Sequence, residues 1–188
     1  MIEEQDHLGS FSHIPVMSEE VMSLLKIISE GVYVDGTIGL GGHSESILSQ
    51  LSHSGHLIGI DRDVQALEIC RKRTLTKHSN FSLFNDSYSN IRNILDQKGV
   101  LEVNGMLLDL GLSSFQLDNS RRGFSFKRNE NLDMRFDNFQ KISASDIINK
   151  FSEKDIADII FIYGEERLSR KIARKIVQLR PITTTFEL

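Results

Sequence analysis

The first 110 residues alternate between two hydrophobic patterns. Apolar side chains recur at helical spacing in residues 18–28, 44–51, 63–73 and 88–95, and Ser18 is placed to cap the first of these helices. Short apolar runs lie between them, in residues 32–35, 55–61, 81–84 and 103–110. Strands that alternate with helices form βαβ units, so the pattern predicts an α/β fold with a parallel sheet covered on both faces.

The pattern changes after residue 110. Residues 111–137 contain glycines, serines and four arginines without sustained periodicity, which predicts a long loop of the kind usually kept for function. From residue 145 onward the spacing is helical, with Gly164 between a helix over 154–163 and one over 165–179. Thr184 and Glu187 have the spacing of a capping box that opens a further helix.

Composition narrows the class of protein. With 188 residues, 39% of them hydrophobic and 26% charged, the chain has enough apolar surface for a core. Apolar runs stay well short of the ~20 residues that span a bilayer, so we expect a cytoplasmic protein. The net charge of −4 means that any contact with nucleic acid must come from local basic patches. The histidines are scattered without metal-ligand spacing, and we predict no metal site.

A glycine-rich turn between the first strand and the second helix is the first candidate binding site. Gly39, Gly41 and Gly42 would let a ligand approach the backbone at a helix N-terminus, although their spacing is not the dinucleotide fingerprint. Asp61 ends the second strand, where a carboxylate can bind a ribose diol. The alternatives are a turn that is merely tightly packed and an Asp61 that caps the following helix.

Polar side chains also follow the fourth strand. Asp109, Ser113, Ser114 and Gln116 are expected at the carboxyl edge of the sheet, where cofactor and substrate meet. Asp109 or the hydroxyls of Ser113 and Ser114 are therefore candidate catalytic proton acceptors. A capped turn would explain the same residues without any chemistry.

A short basic run with interleaved aromatic residues lies further along the chain. Such a run suits a phosphate backbone and an unstacked base, and solvated surface is the alternative. The residues predicted to contact RNA are Arg121, Arg122, Phe124, Phe126, Lys127 and Arg128.

Taken together, the sequence motifs of this chain resemble those of the bacterial 16S ribosomal RNA cytosine-N(4) methyltransferases, which act at the decoding centre. The resemblance covers nearly the whole chain, and the stretch over residues 109–135 is the most specific. The strings that carry it are His13-Ile14-Pro15-Val16, Asp35-Gly36-Thr37 with Gly39 and Gly41-Gly42-His43-Ser44, Asp109-Leu110-Gly111-Leu112-Ser113-Ser114 with Gln116-Leu117-Asp118, Arg122-Gly123-Phe124-Ser125-Phe126, Leu132-Asp133-Met134-Arg135 and Tyr163-Gly164-Glu165-Glu166-Arg167.

The resemblance implies a Rossmann-like class I methyltransferase sheet, of which this chain carries the first four strands, with a helical domain inserted after the fourth. We expect a core that binds S-adenosylmethionine over residues 1–120, and a basic loop and helical insertion that faces RNA over 121–188. Implied cofactor contacts are Gly41, Gly42, His43, Asp61, Tyr88, Asp109 and Gln116, to which the glycine turn adds Gly39. Tyr88 departs from the family, whose members carry Phe there.

The implied reaction is S-adenosylmethionine-dependent methylation of the exocyclic N(4) amine of a cytidine in 16S ribosomal RNA, with the small ribosomal subunit as partner. Family members continue well beyond the position of Leu188, so we expect weak activity from the 188 residues alone. One alternative is a non-enzymatic RNA-binding or assembly module that retains the cofactor motifs. A nicotinamide-dependent dehydrogenase is disfavoured by the glycine spacing and by the strings over residues 109–135.

Overall fold

A computed structural model describes residues 15–74, 77–118 and 120–188, so His13 and Ile14 of the first family string lie outside the described residues. The chain divides into two compact units, Met1–Gly111 and Leu112–Leu188. The first unit contains α1 (Ser18–Leu25), β1 (Val32–Asp35), α2 (Gly42–Leu48), β2 (His56–Asp61), α3 (Val64–Thr74), β3 (Phe81–Asn85), a 3-10 turn (Tyr88–Asn90), α4 (Ile91–Gln97) and β4 (Gly105–Leu107). The second contains α5 (Ser114–Asp118), α6 (Ala144–Lys150), α7 (Glu153–Gly164) and α8 (Ser169–Leu179).

The four strands form one parallel sheet in the order β3-β2-β1-β4. Successive strand residues point to opposite faces, and both faces are covered. Val34 and Ile58 pack in one cluster with Ile94 of α4, whereas Tyr33 and Leu57 pack in another with the buried side chains of α2. The predicted α/β fold with a parallel, Rossmann-like sheet is therefore confirmed.

Because the strands are parallel, their carboxyl ends meet at one edge of the sheet. Asp35 ends β1 and Asp61 ends β2, and Asp109 follows β4. The fourth strand is shorter than the run over residues 103–110 predicts. Its ladder with β1 joins Tyr33 to Gly105 and ends where Asp35 pairs with Leu107, because β1 is itself only four residues long.

The second unit has a core of its own. Leu132 from the long loop packs in one cluster with Ile148 of α6, Ile156 of α7 and Ile176 of α8. A capping box between Ser143 and Asp146 starts α6. The loop over residues 111–137 thus reaches into a core, although it contains no regular element other than α5 among its described residues.

Two local predictions are wrong. Ser18 lies inside α1, and the preceding Met17 adopts a left-handed conformation with no side-chain cap. The last helix begins at Ser169 rather than at 165, because Glu165 is left-handed at φ 51° and terminates α7. Near the last residues, Oε2 of Glu187 accepts from the amide of Thr184 at 3.1 Å, which is one of the two hydrogen bonds of a capping box, and residues 184–188 form a bridge and a turn.

Within the described residues, no helix combines the length and the apolar character needed to cross a membrane.

Candidate functional site

In the glycine turn after β1, Gly41 and Gly42 pack closely against other residues, whereas Gly39 does not. Gly41 has φ +87°, and a Cβ there would lie 2.8 Å from Sγ of Cys70, so both the conformation and the contact require glycine. A Cβ at Gly42 would lie 2.9 Å from Cγ of Pro15. At Gly39, by contrast, a Cβ would meet only the carbonyl oxygen of Thr37, at 3.9 Å, among the residues that the structure describes. A ligand can therefore approach the backbone at Gly39.

Asp61 holds this turn in place. Its Oδ2 accepts a hydrogen bond from the amide of Gly39 at 2.8 Å, and its Oδ1 accepts one from the amide of Asp63 at 2.9 Å. Burial raises the pKa of Asp61, and these backbone hydrogen bonds oppose the rise. Asp63 accepts from the amide of Gln65 at 3.1 Å at the start of α3, so Asp63 rather than Asp61 acts as the helix cap. The half-buried Asp61 keeps lone pairs for a ligand.

Asp35 is a site residue that the sequence analysis missed. Its side chain is 2% exposed, with Oδ2 accepting from the hydroxyl of Ser44 at 2.7 Å and Oδ1 accepting from the amide of Thr37 at 3.2 Å. Burial raises the pKa of Asp35 to about 6, against the lowering effect of these hydrogen bonds and with a contribution from the negative charges of Asp61 and Asp109. The sequence signal that could have identified Asp35 is its position directly before the glycine turn.

Asp109 and His43 approach each other across the carboxyl edge. Oδ2 of Asp109 lies 3.8 Å from Nε2 of His43, which is buried near the start of α2. The Asp109 side chain is 59% exposed and so accessible to a ligand. Tyr88 lies just after β3, and its Cβ would be 3.1 Å from a Cβ built at Gly36. The first unit therefore brings the glycine turn, His43, Asp61, Tyr88 and Asp109 to one edge of one sheet.

The other candidates after β4 form a local turn in the second unit. The amide of Ser113 donates to Oε1 of Gln116 at 3.0 Å, and the amide of Gln116 donates to Oγ of Ser113 at 3.2 Å. This reciprocal pair is a capping box at the start of α5, where Ser114 is the first helical residue. The capped turn is thus formed, and the roles of Ser113, Ser114 and Gln116 toward cofactor or substrate stay predictions.

Arg122 does not fit the prediction of an RNA phosphate contact. It is 6% exposed, and its Nη1 donates to the carbonyl oxygens of Arg135 and Phe136 at 3.0 and 3.1 Å. Its guanidinium also lies over the ring of Phe124, 5.5 Å from the centroid. A buried cation with these partners connects two parts of the loop. If the Arg122 side chain moved out to bind a phosphate, the two carbonyls would lose their hydrogen-bond donor.

The rest of the basic run is accessible. Phe126 is 84% exposed, and Lys127 is exposed beside it. Arg128 is also exposed and lies 3.7 Å from Oδ1 of Asp118, a distance typical of a weak surface ion pair. Arg121 is exposed with φ +53°. Phe124 instead packs against Phe136 at 5.4 Å between ring centroids. Contact of this run with RNA stays a prediction.

Among the described residues, no three His, Cys, Asp or Glu side chains are grouped so that they could hold a metal ion. The carboxylates of the edge are instead bound to main-chain amides and a hydroxyl. A glycine turn open at Gly39 beside the carboxylate of Asp61 suits a nucleoside whose ribose hydroxyls donate hydrogen bonds.

The sequence pattern of the MraW methylase family matches residues 10–188. The chain belongs to the MraW methylase family. This confirms the resemblance found from the motifs. Its curated relatives named ribosomal RNA small subunit methyltransferase H include that of Caldicellulosiruptor bescii, which is 46% identical over 181 residues, or 95% of this chain and 59% of that protein.

Two further relatives with the same name match this chain at similar identity and coverage. The protein of Thermosipho africanus is 47% identical over 176 residues, covering 94% of this chain and 60% of that protein. The protein of Fusobacterium nucleatum is 45% identical over 186 residues, covering 97% and 59%. This MraW-family chain thus spans about three fifths of the length of these relatives.

Proposed function

We propose that this MraW-family chain binds S-adenosylmethionine at the carboxyl edge of its sheet and takes part in methylating the N(4) amine of a cytidine in 16S ribosomal RNA. The observation that supports this most directly is the pairing of Asp61 with Gly39. It places a carboxylate and an open glycine backbone together, where a ribose and an approaching ligand can both bind. Family membership supports the reaction, and the names of the relatives support ribosomal RNA as substrate.

Each edge residue has a role under this proposal. The methyl donor carries its methyl group on a positively charged sulfur. Asp61 would bind the ribose hydroxyls, and Gly39 would let the ligand approach the turn, which Gly41 and Gly42 allow to pack closely against Cys70 and Pro15. His43 and Tyr88 would shape the pocket on either side. Since methyl transfer is an in-line displacement, the main task of these residues is alignment and exclusion of water.

Asp109 is one of the catalytic candidates that are accessible for proton transfer, together with the exposed Ser114. The amine of cytosine is a poor nucleophile because its lone pair is delocalised into the ring, so an acceptor near that nitrogen would help it to attack. The exposed carboxylate of Asp109 can accept the proton, whereas Oγ of Ser113 is already engaged by the amide of Gln116. In Asp109→Asn, a loss of turnover larger than any loss of donor affinity would support the base role, and unchanged turnover would contradict it.

The proposed cofactor is tested by titrating the chain with S-adenosylmethionine and, separately, with NAD in a calorimeter. We expect saturable binding of S-adenosylmethionine and none of NAD. Binding of NAD alone would favour a dehydrogenase and contradict the proposal. The RNA substrate is tested by incubating the chain and radiolabelled donor with small ribosomal subunits and mapping the label. Donor binding together with RNA binding but without transfer would favour an assembly module.

The exposed part of the basic run makes a separate prediction. In the double variant Lys127→Ala/Arg128→Ala, we expect weaker binding to a single-stranded ribosomal RNA fragment. The slope of log affinity against log salt should flatten by roughly 0.7 for each phosphate that the variant no longer neutralises, because fewer counterions are released. The slope is obtained from fluorescence anisotropy titrations at several salt concentrations.

Two controls separate RNA contact from general effects. Lys154→Ala removes a similarly exposed cation that pairs with Asp158 on α7, and the salt slope should stay unchanged. Arg122→Ala should lower the free energy of unfolding by roughly 1.5 to 3 kcal/mol without specifically altering the slope, because two part-buried carbonyls lose their charged donor. A double variant with the slope of the parent chain would assign Lys127 and Arg128 to solvated surface.

A further inference from the structure

Thr37 lies just beyond β1 and holds the backbone of Asp109. Its Oγ1 accepts a hydrogen bond from the amide of Asp109 at 2.7 Å. In the ladder between β1 and β4 the last pair joins Asp35 to Leu107, so Thr37 and Asp109 stand opposite each other two residues further on. A side-chain oxygen thus provides the next acceptor where the main-chain ladder has ended.

Thr37 is itself held by a buried group. Its amide donates to Oδ1 of Asp35, whose other oxygen accepts from the hydroxyl of Ser44 in α2. The Asp35 carboxylate is almost fully buried, so it can shift little. The hydrogen bonds from Ser44 to Asp35 and from Thr37 to Asp35 therefore fix the position from which the Thr37 hydroxyl accepts the amide of Asp109, two residues beyond β4.

The apolar side chains on either side of Asp109 are partly exposed. Leu108 and Leu110 on either side of Asp109 are 41% and 66% exposed. Its carboxylate is more than half exposed and lies 3.8 Å from His43 at the edge of the glycine turn. A shift of the Asp109 backbone would therefore carry the carboxylate away from the ligand side of that turn.

We propose that Thr37 is a positioning residue for Asp109, and that through Asp109 it sets the affinity of the site for the methyl donor. This inference rests on the proposed function for its ligand, and on the hydrogen bond between Thr37 and Asp109 for its mechanism. Thr37 holds the main chain of Asp109, and the Asp109 side chain then meets the ligand.

Thr37→Val tests the mechanism because valine matches the shape of threonine and lacks its oxygen. Amide hydrogen exchange of Asp109, followed by NMR, should become roughly tenfold faster in this variant. Thr37→Ser keeps the oxygen and should retain the rate of the parent chain. Thr37→Ala removes the oxygen without placing a methyl group there and should behave like Thr37→Val. An exchange rate that stays unchanged in both Val and Ala variants would overturn the positioning role.

A double-mutant cycle with Asp109→Ala tests the effect on the ligand. Thr37→Val should weaken S-adenosylmethionine binding in the parent chain and add nothing in the Asp109→Ala background, whereas the losses of unfolding free energy should add. Additive losses of affinity would show that Thr37 acts through the general structure and would overturn the inference. If the parent chain binds no S-adenosylmethionine, the proposed function fails, and amide exchange alone decides whether Thr37 positions Asp109.

Discussion

Replacing Asp61 with alanine is expected to weaken S-adenosylmethionine binding by about tenfold to a hundredfold. A charge-assisted hydrogen bond to a ribose hydroxyl contributes roughly 1.5 to 3 kcal/mol, which corresponds to that range. The variant also removes the acceptor for the amide of Gly39, so the glycine turn is no longer fixed next to β2. Isothermal titration calorimetry of the folded variant measures the change.

The matched control for this prediction is Asp61→Asn. Asparagine keeps one oxygen that can accept from the amide of Gly39, but its NH₂ group then faces the amide of Asp63 and the negative charge is lost. An affinity between those of the parent and Asp61→Ala would therefore report the part that anchoring at Gly39 contributes. Asp63→Asn changes a neighbouring carboxylate that caps α3 and should leave donor affinity close to that of the parent chain. Parental affinity in Asp61→Ala would rule out the ribose contact.

The fold could be predicted from the sequence because its signals are local. Helical spacing and short apolar runs depend on neighbouring residues, and they locate β1 and β2 within one residue of their observed limits. The end of β4 depends instead on the length of its partner β1. A run of apolar residues carries no information about that partner, so the predicted strand is too long.

In the candidate site, too, the residues marked by their sequence neighbours could be predicted, and those that depend on distant contacts could not. Asp61 and Asp109 are found from the sequence because they follow apolar strands. The importance of Asp35 depends on a hydroxyl nine positions away and on burial by surrounding elements, neither of which the local pattern shows. The burial of Arg122 could not be predicted for a similar reason, since the carbonyls that bind it come from residues 135 and 136. A basic side chain in a loop looks the same in sequence whether it is buried or exposed.

Asp35→Asn is expected to abolish a large dependence of stability on pH. Burial raises the pKa of Asp35 from an ordinary value of 3.8 to about 6 in the folded chain. As the pH rises through this interval, the unfolded chain releases a proton that the folded chain retains, so the parent loses unfolding free energy between about pH 4 and pH 6. The loss amounts to about 3 kcal/mol and persists at higher pH.

Asparagine keeps the shape of Asp35 and cannot ionise. Its side-chain oxygen can accept from the amide of Thr37 and its NH₂ group can donate to Ser44, whose hydroxyl can rotate to accept. The measurement is the difference in unfolding free energy between variant and parent, from urea denaturation at pH 4 and at pH 7. Other carboxyls with a lowered pKa, such as Asp133 beside Arg135, destabilise both proteins equally in acid and cancel in this difference.

The variant should therefore gain about 2.5 kcal/mol relative to the parent as the pH rises from 4 to 7, since part of the full change of about 3 kcal/mol already occurs below pH 4. An NMR titration of the Asp35 carboxyl carbon gives an independent check, with an expected midpoint near pH 6. A difference in stability that does not vary with pH, together with a midpoint near 3.8, would show that water or a local rearrangement solvates this carboxylate. In that case Asp35 would be too mobile to hold Thr37 in place, and the hydrogen bonds that connect Asp35 through Thr37 to Asp109 could not fix the position of Asp109.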